Sequence, residues 1–199
     1  MRKIPTLFVR DVASGLRFVR DEVHPDCSWV TTGEGVATRK LDGTCMRVAD
    51  DGSLWKRREI KPSQDPPADF VLADADPVTG KRVGWVPVGD GRDDRFAREA
   101  WDHLLDEGRR FAGKRHDPAS LSGTYELIGP RINGNPEGFD RHSLVAHDDP
   151  TLVLSGVPRD FDGLRTLLTD PSFHFEGVVW HHPDGRMVKL KRRDFPAPS

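Results

Sequence analysis

The feature that most constrains the fold is a series of short strand-like runs separated by turn residues. Val, Ile, Phe, Trp and Thr are concentrated in these runs, and Gly, Pro, Asp or Asn stands between them. The runs are IPTLFV, GLRFV, GVATRKL, CMRVA, SLWKRREI, RVGWVPV, SGTYELIG, TLVLSG, FEGVVW and RMVKLK. The chain is therefore predicted to be built mostly of β-strands.

Two segments have apolar residues at helical spacing instead. The stretch DRFAREAWDHLLDEG (94–108) places on one stripe Phe96, Ala100, Trp101, Leu104 and Leu105. The stretch RDFDGLRTLLTD (159–170) ends before Pro171. Many strands with two separated helices predict an α+β fold, with antiparallel sheets flanked by helices. The Pro- and Asp-rich segment 61–82 is predicted to be a long loop, and residues 1–199 are expected to form a single domain.

Size, charge and composition exclude several classes of protein. The 199 residues can bury a substantial core, and the net charge of −2 argues against nucleic-acid binding by bulk charge alone. Basic residues nevertheless cluster in 54–61, 109–115 and 189–193. The pattern GxxxxGK[ST] does not occur, and GEGVAT lacks the third glycine of the dinucleotide fingerprint, so P-loop and Rossmann proteins are excluded.

Hydrophobic segments and cysteine content indicate the cellular compartment and whether a zinc site is expected. The sequence has no apolar run long enough for a spanning helix and none that resembles a signal peptide. Cys27 and Cys45 are its two cysteines. These features predict a cytoplasmic protein with reduced thiols and without a membrane partner. Two unclustered cysteines cannot make a tetrahedral zinc site by themselves, so structural zinc is not expected.

The final hairpin, FEGVVWHHPDGRMVKLKRRDF, combines charges of both signs. Lys189 and Lys191 are two residues apart, so they are predicted to share one strand face. Glu176 leads the other strand and is expected on the face of Val178 and Trp180. A surface ion-pair ladder of little energetic value is one interpretation. A polar site that holds a metal and phosphate oxygens is the other.

Lys40 raises a similar question, because it stands just before Asp42-Gly43 in ATRKLDGTCMRV. An exposed hairpin would explain the Asp-Gly pair and leave the lysine incidental, whereas a nucleophilic lysine would explain both. In chain order the sequence contains Lys40-x-Asp42-Gly43, Lys56-Arg57-Arg58, Tyr125-Glu126, Glu176-Gly177-Val178-Val179 and Lys189-x-Lys191. Each pattern alone is common, but the ordered set is much harder to obtain by chance.

This ordered set resembles the covalent nucleotidyltransferase superfamily of ATP-dependent RNA and DNA ligases and messenger-RNA capping enzymes. The resemblance covers about Gly35 to Phe195. It implies a nucleotidyltransferase (ATP-grasp-like ligase) domain. The chain ends soon after KLKRR, so no C-terminal OB domain is expected, which favours an RNA ligase over a DNA ligase or capping enzyme. The opening KIPTLFVRD is most similar to small standalone ligases that join 5′-phosphate to 3′-hydroxyl RNA ends.

The resemblance also implies the cofactors and the residue roles. ATP would donate AMP through a covalent lysyl-AMP and a 5′-adenylated RNA, with Mg²⁺ as the metal and Mn²⁺ as its alternative. Lys40 corresponds to the adenylated lysine, and the K-x-K pair of Lys189 and Lys191 grips the α-phosphate. The implied metal ligands are Asp42, Glu126 and Glu176, of which Glu126 corresponds to the glutamate that meets the ribose or the metal.

The remaining nucleotide contacts are less sharply defined by the resemblance. Arg57 or Arg58 stands where relatives place a basic residue that contacts the nucleotide and the 5′-phosphate. Thr38 and Arg39 stand where relatives often carry an acidic residue that reads adenine. The candidates for the aromatic residue that stacks on the purine, which is not otherwise identifiable, are Phe139 and Trp85.

The chemistry places a physical demand on Lys40. A free lysine has a pKa of about 10.4, whereas nucleophilic attack needs the neutral amine, so burial or neighbouring cations are expected to lower that pKa. The alternatives to an RNA ligase are a minimal DNA ligase, a nucleotide- or RNA-end-binding module that has lost ligation chemistry, and a purely structural β protein.

Overall fold

Strands dominate the structure, a computed structural model that describes residues 4–11, 18–77 and 79–196. The strands are β1 Phe8–Arg10, β2 Val19–Val23, β3 Val36–Lys40, β4 Thr44–Val48, β5 Leu54–Ile60, β6 Val71–Ala75, β7 Arg82–Pro87, β8 Gly123–Ile128, β9 Ser143–Ala146, β10 Gly177–His181 and β11 Met187–Lys191. The α-helices are α1 Ser28–Thr31, α2 Arg95–Ala112 and α3 Phe161–Thr169. Neighbouring strands in each sheet are antiparallel, which confirms the predicted α+β class.

The described chain divides into two compact units. Residues 4–41 and 149–196 form one, here called the Lys40 unit, and Asp42–Asp148 form the other, here called the Glu126 unit. Each unit has its own cluster of buried apolar side chains. The expectation of a single domain over residues 1–199 stays a prediction.

The Lys40 unit contains a three-stranded sheet in the order β11-β10-β3 and a two-stranded ribbon of β1 and β2. Trp180 in the middle strand is fully buried, as are Leu164 and Leu168 of α3. Helix α3 begins where the Asp160 side chain accepts a hydrogen bond from the Gly163 N–H, at 2.8 Å. Burial of the apolar stripe of α3 explains why this predicted helix forms.

The Glu126 unit contains a six-stranded sheet in the order β6-β7-β5-β4-β8-β9. Ala97 and Ala100 of α2 belong to the same buried cluster as Met46 and Leu127 of the sheet. Strand register puts Met46 opposite Tyr125, and these residues share a face with Leu127. Helix α2 therefore covers one face of the sheet and leaves the other face for the polar residues described below.

Within the described residues the structure differs from the predicted elements in several places, and the short helix α1 is one that was not predicted. Segment 61–82, predicted to be a loop, contains the edge strand β6, whose sequence VLADA lacks a clear alternation of apolar and polar residues. The run TLVLSG, predicted to be a strand, begins with the 3-10 helix Pro150–Leu152, because Pro150 favours a turn and Asp149 caps it. Strand β9 was not predicted.

Two predicted features extend beyond the described part of the chain. Residues 15–17 of the run GLRFV lie outside the described residues, and β2 begins at Val19. The side chains of 109–112, in the second basic cluster, also lie outside them. Among the helices of the described chain, none has the length and apolar character needed to cross a membrane.

Candidate functional site

Three charged side chains meet at one end of the sheet in the Lys40 unit. Gly177, the first residue of β10, pairs with Lys40 on one side and with Lys191 on the other. Glu176 directly precedes it and accepts hydrogen bonds from both lysines. Lys40 Nζ lies 2.5 Å from Glu176 Oε2, and Lys191 Nζ donates to Glu176 Oε1. Strand register thus brings Lys40 together with two residues of the final hairpin, although Glu176 follows it by 136 residues in the sequence.

This cluster is largely shielded from solvent. The exposed fractions are 11% for the Glu176 side chain, 19% for Lys40 and 13% for Lys191. Burial raises the pKa of Glu176, but the charges and hydrogen bonds of Lys40 and Lys191 outweigh it and hold that pKa below its ordinary value. Arg193 adds a cation whose Nη2 lies 3.9 Å from Glu176 Oε1. One carboxylate is thus surrounded by several cations.

The register also decides which predicted residues share a face with Lys40. Thr38 pairs with Val179 of β10, and Val179 pairs with Lys189 of β11, so Thr38, Lys40 and Lys189 lie on one face. Arg39 lies on the opposite face, where its guanidinium stacks 4.0 Å from the centre of the Phe175 ring. Burial lowers the pKa of Arg39. The structure therefore separates Arg39 from the other predicted residues of this unit.

Glu126 is the more enclosed of the two predicted metal ligands in the Glu126 unit. Its exposed fraction is 8%, and Cys45 faces it directly across the β4–β8 pair. Glu126 Oε1 accepts a hydrogen bond from the Gly43 N–H at 3.1 Å. Glu126 Oε2 lies 3.0 Å from Nε2 of His147, a residue that directly follows β9. Both oxygens of this carboxylate are therefore held in place.

Asp42 is held by two residues that the sequence analysis did not identify. Asn133 Nδ2 donates to Asp42 Oδ1 at 2.9 Å and to the Gly43 carbonyl at 3.0 Å. The Asp42 N–H donates to Glu137 Oε1 at 3.2 Å. The loop after β8 that contains Asn133 and Glu137 therefore fixes the Asp42-Gly43 segment.

Arg57 and Arg58 point to opposite faces of the six-stranded sheet. Register along β7, β5, β4 and β8 puts Arg57 on the face of Glu126 and Cys45, and Arg58 on the face covered by α2. The neighbouring Lys56 contacts Asp94. Of the two arginines that the sequence left open, Arg57 is the one that shares a face with Glu126.

The two proposed purine-stacking residues also lie in the Glu126 unit. Trp85 pairs with Arg57 across β5 and β7 and is 3% exposed. Phe139 is half-buried, and its N–H donates to Asn135 Oδ1 at 3.1 Å. The stacking role of either residue stays a prediction.

Cys45 and His147 were missed as functional residues. Their ligand atoms and that of Glu126 all lie within 4.8 Å of one another. The sequence did contain a signal for these two residues as possible ligands: Cys45 alternates with apolar residues in CMRVA, and His147 directly follows the apolar run SLVA. Single-sequence patterns do not reveal that β4, β8 and β9 are neighbours, and this neighbourhood brings the three donors together.

Comparison with known proteins gives a distant relationship. No protein-family model matches the chain. "RNA ligase 1" of Rattus norvegicus is 27% identical over 79% of this chain and 66% of the relative. "RNA ligase 1" of Mus musculus is 27% identical over 79% of this chain and 65% of the relative. "RNA ligase 1" of Danio rerio is 25% identical over 96% of this chain and 79% of the relative.

These similarities support a relationship between this chain and proteins named RNA ligase 1. The chain spans just under two-thirds of the length of the rat and mouse relatives, at 66% and 65%.

Proposed function

We propose that the chain is an ATP-dependent RNA ligase that joins 5′-phosphate and 3′-hydroxyl RNA ends through a covalent lysyl-AMP. The observation that carries this proposal is the contact of both Lys40 and Lys191 with Glu176. The lysine of the K-x-D-G pattern and the second lysine of the K-x-K pattern, on the two strands that flank β10, thereby share one carboxylate. The similarity to proteins named RNA ligase 1 supports the same reaction class.

In the first step, Lys40 Nζ forms a bond to the α-phosphorus of ATP. The bond from that phosphorus to the bridging oxygen breaks, and pyrophosphate leaves with the electron pair. Attack requires the neutral amine, so Lys40 must lose its ammonium proton to solvent and leave its contact with Glu176. Lys189 lies on the same sheet face as Lys40, and Lys191 beside it stabilises negative charge that develops on the phosphate.

The later steps move AMP to RNA and then release it. An oxygen of the RNA 5′-phosphate attacks the lysyl-AMP phosphorus, and the nitrogen–phosphorus bond breaks, which restores Lys40 and gives 5′-adenylated RNA. The 3′-hydroxyl of the second strand then attacks the 5′-phosphate phosphorus, losing its proton to solvent, and AMP leaves. Arg57 is our candidate for contact with the nucleotide and the 5′-phosphate, because it shares a sheet face with Glu126.

The carboxylates fit Mg²⁺, or Mn²⁺ in its place, because these ions take oxygen ligands. We propose Glu176 as a metal ligand in the Lys40 unit and, taken separately, Asp42 and Glu126 as metal ligands in the Glu126 unit. The chain pre-orients two of them, through Asn133 on Asp42 and the Gly43 N–H on Glu126. When bound, the metal would neutralise charge on the triphosphate and the leaving pyrophosphate.

Intact-mass measurement tests the first step. We expect the protein, mixed with ATP and Mg²⁺, to gain the mass of one AMP. Lys40→Ala should abolish this gain. Lys81→Ala is the matched control, because Lys81 is an exposed lysine that pairs with Glu59 and has no role in the proposed chemistry, so this variant should be labelled like the wild type.

Product analysis tests the remaining steps. The labelled protein should join RNA strands with 5′-phosphate and 3′-hydroxyl ends, and DNA strands should be joined more slowly. Faster joining of DNA would favour a minimal DNA ligase. ATP binding without an adduct, across several metals and pH values, would contradict the ligase and favour an RNA-end-binding module.

A further inference from the structure

We propose that Cys45, Glu126 and His147 bind one thiophilic divalent metal ion, with Zn²⁺ as the expected ion. Their ligand atoms lie within 4.8 Å of one another. Ligands of tetrahedral Zn²⁺ lie about 3.3–3.8 Å apart, given bond lengths of about 2.0–2.3 Å. Modest side-chain rotations would therefore close the three donors around an ion.

The backbone of the sheet places two of these donors opposite each other. Cys45 and Glu126 form a directly paired position of β4 and β8, so their side chains leave the sheet on the same side. His147 approaches from the end of β9, with Nε2 already 3.0 Å from Glu126 Oε2. The donors come from neighbouring strands of one sheet and not from a single mobile loop.

Neighbouring groups orient both the imidazole and the carboxylate. His147 Nδ1 lies 3.0 Å from Thr124 Oγ1, so an Nδ1–H can donate to this oxygen while Nε2 keeps its lone pair for a metal. Glu126 Oε1 accepts from the Gly43 N–H at 3.1 Å, which leaves Oε2 directed at His147. Outer hydrogen bonds of this kind are typical of protein metal sites.

The donor set selects the class of metal. Thiolate and imidazole suit Zn²⁺ and Co²⁺, whereas Mg²⁺ and Ca²⁺ prefer oxygen ligands alone. Three protein ligands leave a fourth position of a tetrahedral ion for water or another small ligand. The ion binds the Cys45 thiolate, and the thiol proton is released to solvent. Structural zinc was not expected from the sequence, because its two cysteines are not clustered; the proposed site departs from that expectation and uses one cysteine together with a glutamate and a histidine.

The proposed ion has a consequence that rests on the proposed function. Glu126 is one of the carboxylates assigned there to Mg²⁺ or the nucleotide, so an ion bound to Cys45 and His147 would take this carboxylate away from that role. We therefore infer that Zn²⁺ at this site inhibits formation of the lysyl-AMP.

Binding is tested with Co²⁺ as the probe, independently of enzymatic activity. The wild-type protein should show a thiolate-to-Co²⁺ charge-transfer band and tetrahedral d–d bands that saturate at one Co²⁺ per chain. Cys45→Ser should lose the charge-transfer band, and His147→Gln should weaken binding at least about 100-fold. Thr124→Val, which removes only the oxygen beside Nδ1, should weaken it about 10- to 100-fold.

Cys27→Ala is the matched control for the cysteine. Cys27 is fully buried in the Lys40 unit, so its removal should leave the Co²⁺ spectrum of the folded protein unchanged. Circular dichroism of each variant before titration shows whether it is folded. An unchanged spectrum in Cys45→Ser, or a lost band in folded Cys27→Ala, would overturn the proposed site.

The inhibitory role has a separate readout. Zn²⁺, at a concentration that saturates the site titrated with Co²⁺, should slow adenylation of the wild type at least about tenfold. Adenylation of Cys45→Ser should be much less sensitive to Zn²⁺. Equal sensitivity of the two proteins would overturn inhibition through this site. Absence of any AMP adduct would refute the proposed function, while the Co²⁺ titration would still decide whether the metal binds.

Discussion

Glu176 offsets part of the positive charge of the cluster in the Lys40 unit. It accepts hydrogen bonds from Lys40 and Lys191, and its side chain is only 11% exposed. Removing one partner from a shielded ion pair leaves the other charges uncompensated, which costs more than loss of a surface pair. The carboxylate is thus required for stability as well as for the proposed chemistry.

We expect Glu176→Gln to lower the free energy of unfolding by about 1–3 kcal/mol at pH 7, because two ammonium groups then face a neutral amide. Urea denaturation measures this loss. The pKa of Glu176 is lowered in the folded state, so its contribution is present above its unfolded pKa of about 4.3 and is lost as the pH falls through the folded value. The difference between wild type and variant should therefore shrink in acid.

Glu59→Gln is the control for this experiment. Glu59 pairs with Lys81 at 2.7 Å, and both side chains are well exposed, so this variant should lose less than about 1 kcal/mol. Equal losses for the two variants would contradict the special position of Glu176.

The two cysteines should differ sharply in reactivity. Burial, reinforced by the charge of Asp26, raises the pKa of the Cys27 thiol to about 11. At pH 8 only about one such thiol in a thousand is a thiolate, the form that reacts. Cys45 is partly exposed. We expect iodoacetamide to label Cys45 in the folded protein and Cys27 only after unfolding, as measured by peptide mass mapping. Comparable labelling of Cys27 in the native protein would show that its site opens to solvent.

Strand pairing positions the cluster through Gly177. A Cβ atom at this position would lie 2.1 Å from the Leu190 carbonyl oxygen and 2.8 Å from Lys191 Cα, and backbone atoms cannot move aside without separating β10 from β11. Gly177→Ala should therefore lower the free energy of unfolding by about 1–3 kcal/mol and also slow adenylation, because the strands that hold Lys40 and Lys191 move apart. Thermal denaturation and intact-mass kinetics measure the two effects.

Gly91→Ala provides the comparison for Gly177→Ala. A Cβ atom there would meet nothing within 4 Å, and the φ angle of −60° suits any residue. We expect a change in stability below about 1 kcal/mol and normal adenylation. Tolerance of both substitutions would mean that the close approach of β10 and β11 does not position the cluster.

Gly43 illustrates what a motif does not specify. A glycine in the Lys40-x-Asp42-Gly43 pattern is an obvious candidate for close approach of the backbone to a nucleotide. In the structure a Cβ at Gly43 would lie 2.1 Å from the Leu127 carbonyl oxygen and 2.9 Å from Glu126 Cγ, so the glycine allows close packing against β8. The pattern identified a position that needs glycine, but the neighbour that requires it depends on strand pairing.

The position of Glu176 shows the same limit. Alternation along the strand predicted that it shares a face with Val178 and Trp180, but its carboxylate bonds to Lys40 and Lys191, whose face is that of Gly177. Strand β10 begins only at Gly177, and the bend at 175–176 breaks the alternation. The local alternation of apolar and polar residues therefore predicted the α+β class and most of the strands. Which charged side chains contact one another depends instead on the pairing register of the strands and on the bend that interrupts the alternation before β10.

The stability of the whole molecule should respond to pH through the turn between β10 and β11. His182 Nε2 lies 2.8 Å from Glu34 Oε2, and His182 Nδ1 lies 2.8 Å from Asp184 Oδ1. The hydrogen bond with Glu34 is the largest cause that raises the pKa of His182. A hydrogen bond from the Arg186 N–H is the largest cause that lowers the pKa of Asp184, to about 2. His182 therefore contributes more to folding stability at low pH, whereas Asp184 contributes more at high pH.

We expect His182 to stabilise the protein fully below its unfolded pKa of about 6.5 and to lose this effect as the pH rises through its folded value. The contribution of Asp184 is present above about pH 4 and is lost as the pH falls, so the combined contribution is largest at about pH 5–6. Between pH 5.5 and 8.5 the melting temperature of the wild type should fall by more than that of His182→Gln. The control His174→Gln, at an exposed position, should follow the wild type. Parallel melting curves for wild type and His182→Gln over this range would exclude the histidine as the group responsible.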